Sequence, residues 1–220
     1  MLENNKHVFW EALLVAVFIL AAGILIGVLF ENWRTQDIQE LYQQSELDLL
    51  DVRIQSEIYS LPKIDCNNSI KENINFADKV FWEAQLLDKY ETSNKLTEGL
   101  ILQHKKYDLL RVLFWMNAIK IKQRCNADYH NIVYIYDYIE PGIDITAKQN
   151  AFSNFLLELK DKHGDKVMLI PFAGDNDLTS ISLLMSLYNI TEEDLPVILI
   201  DEKIKIGDLE SLKDIEKYLN

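Results

Sequence analysis

An uncharged apolar run near the N-terminus constrains this chain more than any other feature. Over residues 12–30 the sequence ALLVAVFILAAGILIGVLF contains no charged side chain. At about 1.5 Å of rise per residue, a helix over this run covers roughly the 30 Å hydrocarbon core of a bilayer. Trp10 and Trp33 flank it, as aromatic residues flank membrane spans. A cleavable signal peptide has a shorter apolar region with a small-x-small site after it. We therefore predict an uncleaved transmembrane helix over residues 8–30, preceded by a tail over residues 1–7.

The charges beside the run do not fix its orientation. Lys6 precedes the run and Arg34 follows it, so the excess of basic residues that marks the cytoplasmic side is nearly balanced. We expect a single-pass protein of the cell membrane with a cytoplasmic N-terminus and an extracytoplasmic C-terminal domain, because the cysteines described below favour an oxidising compartment. A membrane adaptor that faces the cytoplasm is the alternative.

A pair of glycines lies within the apolar run. Gly23 and Gly27 form the pattern GxxxG, a spacing that lets two helix backbones approach closely. It predicts a homodimer through these two residues. Membrane helices are also rich in glycine for other reasons, so the pattern alone leaves both interpretations open.

Two helical regions are predicted between the apolar run and the C-terminal domain. Residues 31–61 contain neither glycine nor proline and repeat apolar side chains every three or four positions, which predicts a helical stalk continuous with the span. Residues 62–128 are predicted to form a helical hairpin with a polar turn at residues 91–94. The pair Ser69 and Glu72 has the spacing of a capping box and predicts where the first hairpin helix begins.

The only two cysteines lie at matching ends of that hairpin. Cys66 precedes its first helix and Cys125 follows its second, so antiparallel packing would bring both to one end. A structural disulfide there would close a loop of about 60 residues and stabilise the fold by roughly 4 kcal/mol in the chain-entropy model. Two unrelated buried thiols are the alternative. The glycosylation acceptor triplets at Asn67 and Asn189 are compatible with the same compartment, although a chain rich in asparagine carries such triplets by chance.

The order of elements after residue 128 is informative. Runs rich in β-branched and aromatic residues alternate with runs of helical spacing. They predict strands at residues 132–138, 166–172, 197–200 and 203–206, and helices at 146–162, 178–188 and 209–219. We expect Thr146, Asp177 and Asp208 to cap those three helices. The turn Asp201-Glu202 between the last two strands departs from the Asn-Gly or Asp-Gly chemistry that tight hairpins favour.

This βαβαββα order, with the segment Leu195-Pro196-Val197-Ile198-Leu199-Ile200 and a following strand that ends before Gly207, resembles the thioredoxin superfamily. It is most similar to small membrane-anchored thioredoxin-like proteins. The resemblance covers residues 129–220. It implies a thioredoxin-like α/β domain, a cis peptide bond before Pro196, and a Leu195 backbone placed where the family pairs with extended peptides or glutathione. An ordinary trans proline at the start of a strand is the alternative.

The chain departs from the family where its reactive cysteines would lie. The resemblance places the C-x-x-C motif at Ile143-Asp144-Ile145-Thr146, with Ile143 and Thr146 in place of the two cysteines. Dithiol chemistry needs a low-pKa thiolate at a helix N-terminus and a second cysteine to resolve the mixed disulfide. We therefore expect no dithiol catalysis at this position.

The sequence contains no motif for metal binding, phosphate binding or nucleophilic catalysis. The four histidines, His7, His104, His130 and His163, lack metal-ligand spacing, and phosphate loops and nucleophile elbows do not occur. The formal net charge of -13 disfavours nucleic acid as a partner. We expect no metal, no cofactor and no catalytic constellation.

The function hypothesis is a membrane-anchored, redox-inactive binding or scaffold module that holds a polypeptide or a subunit of a membrane complex. Two alternatives stay open. One is a thiol-disulfide oxidoreductase that uses Cys66 and Cys125 as an unusual redox pair, and the other is the cytoplasm-facing adaptor.

Overall fold

One long helix begins the chain. The computed structural model describes residues 4–91, 98–209 and 211–219. Helix α1 runs without interruption over Asn4–Ile58, so the predicted continuity of span and stalk is confirmed. Among the described residues, Val8–Phe30 is the one helical stretch long and apolar enough to cross a membrane, by length and composition.

Residues Gln44–Asn220 form a compact unit that includes the last turns of α1. Helix α2 spans Cys66–Glu91 and helix α3 spans Glu98–Cys125. Three polar side chains of α3 attach the end of α1. Asn117 Nδ2 donates to the Val52 carbonyl at 2.9 Å, Lys120 Nζ donates to Ser56 Oγ at 2.7 Å, and Arg124 donates to the Tyr59 carbonyl. The second half of the predicted stalk is therefore part of the globular unit. The predicted turn at residues 91–94 lies, from residue 92 onward, outside the described residues.

The start of α2 differs from the prediction. Asp65, not Ser69, caps this helix, since Asp65 Oδ1 accepts a hydrogen bond from the Asn68 backbone N–H at 3.2 Å. The predicted capping box of Ser69 and Glu72 is wrong because Asp65 satisfies a free amide one turn earlier, and aspartate caps as well as serine does.

The predicted disulfide is confirmed. Cys66 and Cys125 are bonded, with an S–S distance of 2.04 Å and a Cα–Cα distance of 5.3 Å. The bond joins the first residue of α2 to the last residue of α3. It therefore closes the open end of the hairpin, as the spacing of the cysteines predicted.

A mixed four-stranded sheet follows the hairpin. Its strands are β1 (His130–Tyr136), β2 (Val167–Ala173), β3 (Val197–Ile200) and β4 (Ile204–Ile206), in the spatial order β2-β1-β3-β4. Strand β1 pairs parallel with β2 and antiparallel with β3, and β3 pairs antiparallel with β4. Pro171 is tolerated within β2 because that strand lies at an edge of the sheet.

Helices alternate with these strands in the predicted order. They are α4 (Ile143–His163), α5 (Thr179–Leu187) and α6 (Lys213–Glu216), with short 3-10 turns at Gly164–Lys166 and Glu192–Asp194. The chain is thus a mixed α/β protein with an N-terminal apolar helix, which confirms the fold class at that level. The bounds of β3 match the predicted ones, and those of the other strands and helices differ by at most three residues, apart from the shorter α6.

The core follows from the alternation of side chains along β1. Ile132 and Tyr134 point to one face of the sheet, where they pack with Phe152 and Leu156 of α4 and Ile215 of α6. The opposite face receives α3, whose buried Trp115 lies 6.1 Å from the Phe172 ring of β2. Because both faces are covered, the strand reads as a continuous apolar run.

Two of the predicted helix caps are wrong. Helix α5 begins with Leu178 at the N-cap position, and Asp177 has a left-handed φ of 54°. Helix α6 is only four residues long, and Asp208 lies outside it. The turn before α6 is instead closed by the Ser211 N–H, which donates to Asp214 Oδ2 at 2.9 Å.

The side-chain contacts of the turn between β3 and β4 account for its unusual sequence. Asp201 and Glu202 both have positive φ, 46° and 59°, a conformation that favours glycine or asparagine. Their side chains supply contacts that glycine lacks. Asp201 pairs with Lys122 and His130 at 2.6 Å each, and Glu202 accepts from the Trp115 indole at 2.7 Å. The turn is therefore docked on α3 and β1 through these two carboxylates.

Removing the disulfide should lower stability without changing the fold. We expect the double variant Cys66→Ser/Cys125→Ser of the full chain in detergent to lose about 4 kcal/mol of unfolding free energy, because the unfolded chain regains the entropy of an open loop. The matching fall in melting temperature is roughly 10 °C. Reductant should produce the same fall in the wild-type protein and none in the variant. Equal melting temperatures for the two proteins would contradict the expectation.

Candidate binding site

The candidate site lies at the carboxyl ends of the two parallel strands. Strand β1 ends at Tyr136 and β2 ends at Ala173, and the Gly174 N–H ties the two ends by donating to the Tyr136 carbonyl at 2.8 Å. Ligands of open α/β sheets bind at this edge. Helix α4 begins after the loop that follows β1, and Pro196 immediately precedes β3.

The peptide bond between Leu195 and Pro196 is cis, the isomer that the resemblance implied and not the trans alternative. Leu195 is buried against Gly174 and Ile135. A Cβ atom on Gly174 would lie 2.9 Å from Leu195 Cδ1 and 3.0 Å from Ile135 Cγ2. A larger residue would displace the Leu195 and Ile135 side chains, so glycine lets the Leu195 segment lie close to the end of β2.

The backbone of Leu195 is less available than the resemblance implied. Its N–H donates to the Glu192 carbonyl at 3.2 Å, within the 3-10 turn Glu192–Asp194. That turn is closed by Asp194, whose carboxylate accepts from the Thr191 N–H at 2.8 Å. The Thr191 amide holds the pKa of Asp194 below its ordinary value, and the Lys205 ammonium contributes as well. The acidic turn beside the proline is thus an ordered structure.

The two positions where the resemblance placed the family's cysteines lie at the start of α4. Ile143 is the first residue of α4 and is 89% exposed. Thr146 lies one turn inside the helix, where its hydroxyl donates to the Gly142 carbonyl at 3.0 Å. The prediction of Thr146 as the N-cap is therefore wrong, because Gly142 occupies that position. Both cysteines of the chain are in the disulfide between α2 and α3.

Two carboxyl groups meet at the strand ends. Asp137 follows β1, and Asp175, close behind β2, accepts hydrogen bonds from the Tyr138 and Ile139 amides at 2.9 and 2.7 Å. Burial, the hydrogen bond to Asp175 and the charges of Asp175 and Glu192 together raise the pKa of Asp137 to about 6, with burial contributing most. The pair therefore holds a proton under mildly acidic conditions.

A buried polar network attaches helix α3 to this edge of the sheet. Asp108 of α3 is fully buried, and its carboxylate accepts from Arg111 Nη1 at 3.1 Å, from Asn176 Nδ2 at 2.6 Å and from the Ala173 amide at 3.3 Å. One carboxylate thus binds a cation on its own helix, the end of β2 and the loop after it. Charge-assisted hydrogen bonds of this kind are stronger than neutral ones.

His104 extends the network by one helical turn. Its Nε2 lies 3.0 Å from the Tyr136 hydroxyl and 3.4 Å from Asp108 Oδ2. Its ring stacks on Tyr138 with 3.7 Å between ring centroids. Sequence reasoning missed this network. The available signal was the spacing of His104, Asp108 and Arg111, four and three residues apart, which places three ionisable side chains on one face of α3.

The other predicted sites are placed separately. His130 pairs with Asp201 and His163 pairs with Glu216, while the His7 side chain lies outside the described residues. Within the parts of the chain that the structure describes, no three His, Cys, Asp or Glu side chains form a metal-binding group. The acceptor residues Asn67 and Asn189 are both exposed, and their glycosylation stays a prediction.

Comparison with protein-family models, with curated proteins and with solved structures found no match. By its own residues, this chain is a mixed α/β protein with one N-terminal apolar helix and a disulfide-closed hairpin.

Loss of the central carboxylate should strongly destabilise the fold. In the variant Asp108→Ala, the Arg111 guanidinium remains buried without its counter-ion, which costs about 3–5 kcal/mol. Denaturant unfolding monitored by circular dichroism measures the loss. The matched control is Asp144→Ala, an exposed aspartate on α4, for which we expect a change of about 0.5 kcal/mol or less. Similar midpoints for the two variants would show that Asp108 has no such role.

The carboxyl pair should make stability depend on pH. Because the folded-state pKa of Asp137 rises from 3.8 to about 6, the folded state binds a proton that the unfolded state releases, so stability falls as the pH rises through this window. Solvent screening at this half-buried site reduces the effect to about 1 kcal/mol or less. Melting temperatures at pH 4 to 7 should show this fall in the wild-type protein and a smaller one in Asp137→Asn. Parallel pH profiles for both proteins would contradict the assignment.

Proposed function

We propose that this chain is a membrane-anchored, redox-inactive binding module with a thioredoxin-like domain, placed on the outer face of the cell membrane. It holds a polypeptide or a subunit of a membrane complex. One observation carries the proposal: both cysteines close the hairpin between α2 and α3, while Ile143 and Thr146 occupy the start of α4.

Three features support the thioredoxin-like assignment. The elements follow the order βαβαββα, and the sheet order β2-β1-β3-β4 combines a parallel pair with two antiparallel ones. The Leu195–Pro196 bond before β3 is cis.

The arrangement of sulfur supports binding over dithiol chemistry. A catalytic dithiol needs a thiolate stabilised at a helix N-terminus. Cys66 is the first residue of α2, but its partner Cys125 ends a different helix, 59 positions along the chain. The pair therefore fits a structural crosslink better than the oxidoreductase alternative.

The surface chemistry indicates which polypeptides would bind. Ile143 offers an exposed apolar side chain at the start of α4, and Asp137, Asp175 and Glu192 supply negative charge near the strand ends. Because the Leu195 amide already donates to Glu192, side-chain contacts must contribute more than main-chain pairing. We infer an extended segment with apolar and basic residues as the ligand class.

The apolar helix and the disulfide together support the placement of the C-terminal domain on the outer face of the membrane. The stretch Val8–Phe30 has the length of a membrane span. Disulfides persist in oxidising compartments and are rare in the cytosol.

Peptide binding tests the proposed function. We expect the full chain in detergent to bind an unstructured peptide of leucine and lysine, and to bind the same peptide with glutamate in place of lysine at least tenfold more weakly. The variant Ile143→Asp should lose affinity for the lysine peptide less than the control Ile143→Lys does, because only lysine adds a repelling charge. Fluorescence anisotropy measures each affinity. Equal binding of both peptides would contradict the proposal.

Two further measurements separate the alternatives. Insulin reduction should proceed no faster than with reductant alone, and turnover that disappears in Cys66→Ser would identify the oxidoreductase. For orientation, Ser186→Cys places one thiol on an exposed position of α5, whereas the wild-type protein has no free thiol. A membrane-impermeant maleimide should label this variant in intact cells. Labelling only after lysis would identify the cytoplasm-facing adaptor.

A further inference from the structure

We propose that a second copy of this chain packs against an exposed apolar line on the last turns of α1, forming a parallel dimer. The line, here called the α1 stripe, consists of Leu47, Leu50, Ile54 and Ile58. Their exposed fractions are 62%, 57%, 59% and 48%. The inference concerns a surface separate from the candidate binding site.

The stripe lies opposite the face of α1 that packs on the globular unit. At 100° per residue, Asp48, Val52 and Ser56 share one side of the helix, and the stripe residues lie on the other. The first side is buried, with Val52 and Ser56 held by Asn117 and Lys120 of α3. The stripe is therefore left over after the fold of one chain is complete.

The spacing of the stripe suits a straight helix pair. Its residues follow at intervals of three, four and four, so Leu47 and Ile58 are eleven positions apart. An eleven-residue period is close to the helical repeat and keeps an apolar line on one side of a nearly straight helix. Two such lines can meet along their whole length.

Carboxylates flank the stripe on both sides. Glu46 forms an ion pair with Lys106, whereas Asp51 and Glu57 are exposed and lie about 20° around the helix from the edges of the stripe. These two carboxylates repel a second copy, so apolar contact alone does not hold the pair together. The flank is also not basic, which disfavours an anionic membrane surface as the occupant, because helices that lie on membranes carry Lys and Arg there.

The buried area explains why the pairing needs the membrane. Each stripe residue exposes on the order of 100 Å², so two copies would bury roughly 800 Å² in total, below the 1,000 Å² or more typical of stable interfaces. Confinement in a bilayer raises the effective concentration of the partner. Here the inference rests on the anchor in the proposed function, which also orients both copies in the same direction and so makes the pair parallel.

Site-directed crosslinking of the full chain in phosphatidylcholine vesicles tests the dimer. The variant Ile54→Cys places a thiol on the stripe, and the matched control Arg53→Cys places one on the neighbouring exposed position, about 100° around the helix. With a short bis-maleimide, we expect Ile54→Cys to give at least ten times as much covalent dimer as Arg53→Cys. Equal yields at the two positions, or no dimer at either, would overturn the proposal.

A second set of variants tests the stripe itself. In the Leu47→Cys background, Leu50→Glu/Ile54→Glu should reduce the dimer yield at least tenfold. The control Leu183→Glu/Leu187→Glu, which adds the same charges at exposed positions of α5, should leave it unchanged. Loss of dimer with Gly23→Leu/Gly27→Leu but not with the stripe variant would overturn the inference in favour of the glycine pair. Peptide binding retained by a monomeric stripe variant would show that the proposed function stands without the dimer.

Discussion

The buried Asp108 carboxylate is the contact on which the candidate site depends. It accepts hydrogen bonds from the Ala173 amide at the end of β2 and from Asn176 in the loop beyond. The positive charge of Arg111 offsets the cost of burying the carboxylate. His104, one turn away, adds the end of β1 through the Tyr136 hydroxyl. The helical hairpin therefore does more than cover one face of the sheet. It fixes the geometry of the loops that lie at the edge where α/β proteins bind ligands.

Much of the fold could be predicted because it rests on periodicity. The continuous apolar run IVYIY is typical of a strand buried on both faces, and Phe152, Leu156 and Leu159 recur at helical spacing, so β1 and α4 could be predicted. The disulfide could be predicted because two cysteines at opposite ends of an antiparallel hairpin have one way to meet. The cis bond came from a resemblance to a family and not from the residues alone. These elements depend on local pattern or on topology, and both are visible in a sequence.

The polar details could not be predicted, because several residues compete for each role. Asp65 and Ser69 are both suitable N-caps for α2, and the choice between them is set by where the hairpin packs. The N-cap of α4 is Gly142 and not Thr146, since the helix begins at Ile143. The network around Asp108 depends on residues up to 68 positions apart in sequence, such as Asn176. Contacts of that range are fixed by the tertiary fold and leave only a faint line of polar residues on α3.

The turn at Asp201 and Glu202 has a consequence for how this chain tolerates change. In most hairpins a left-handed residue is a place where glycine relieves backbone strain. Here the strained residues are also the ones whose carboxylates hold Lys122, His130 and Trp115. A glycine-rich turn would therefore fold locally with greater ease and yet detach the edge of the sheet from α3. At these two positions, low backbone strain favours glycine, whereas attachment to α3 and β1 needs a carboxylate. This protein retains the carboxylates despite the strain.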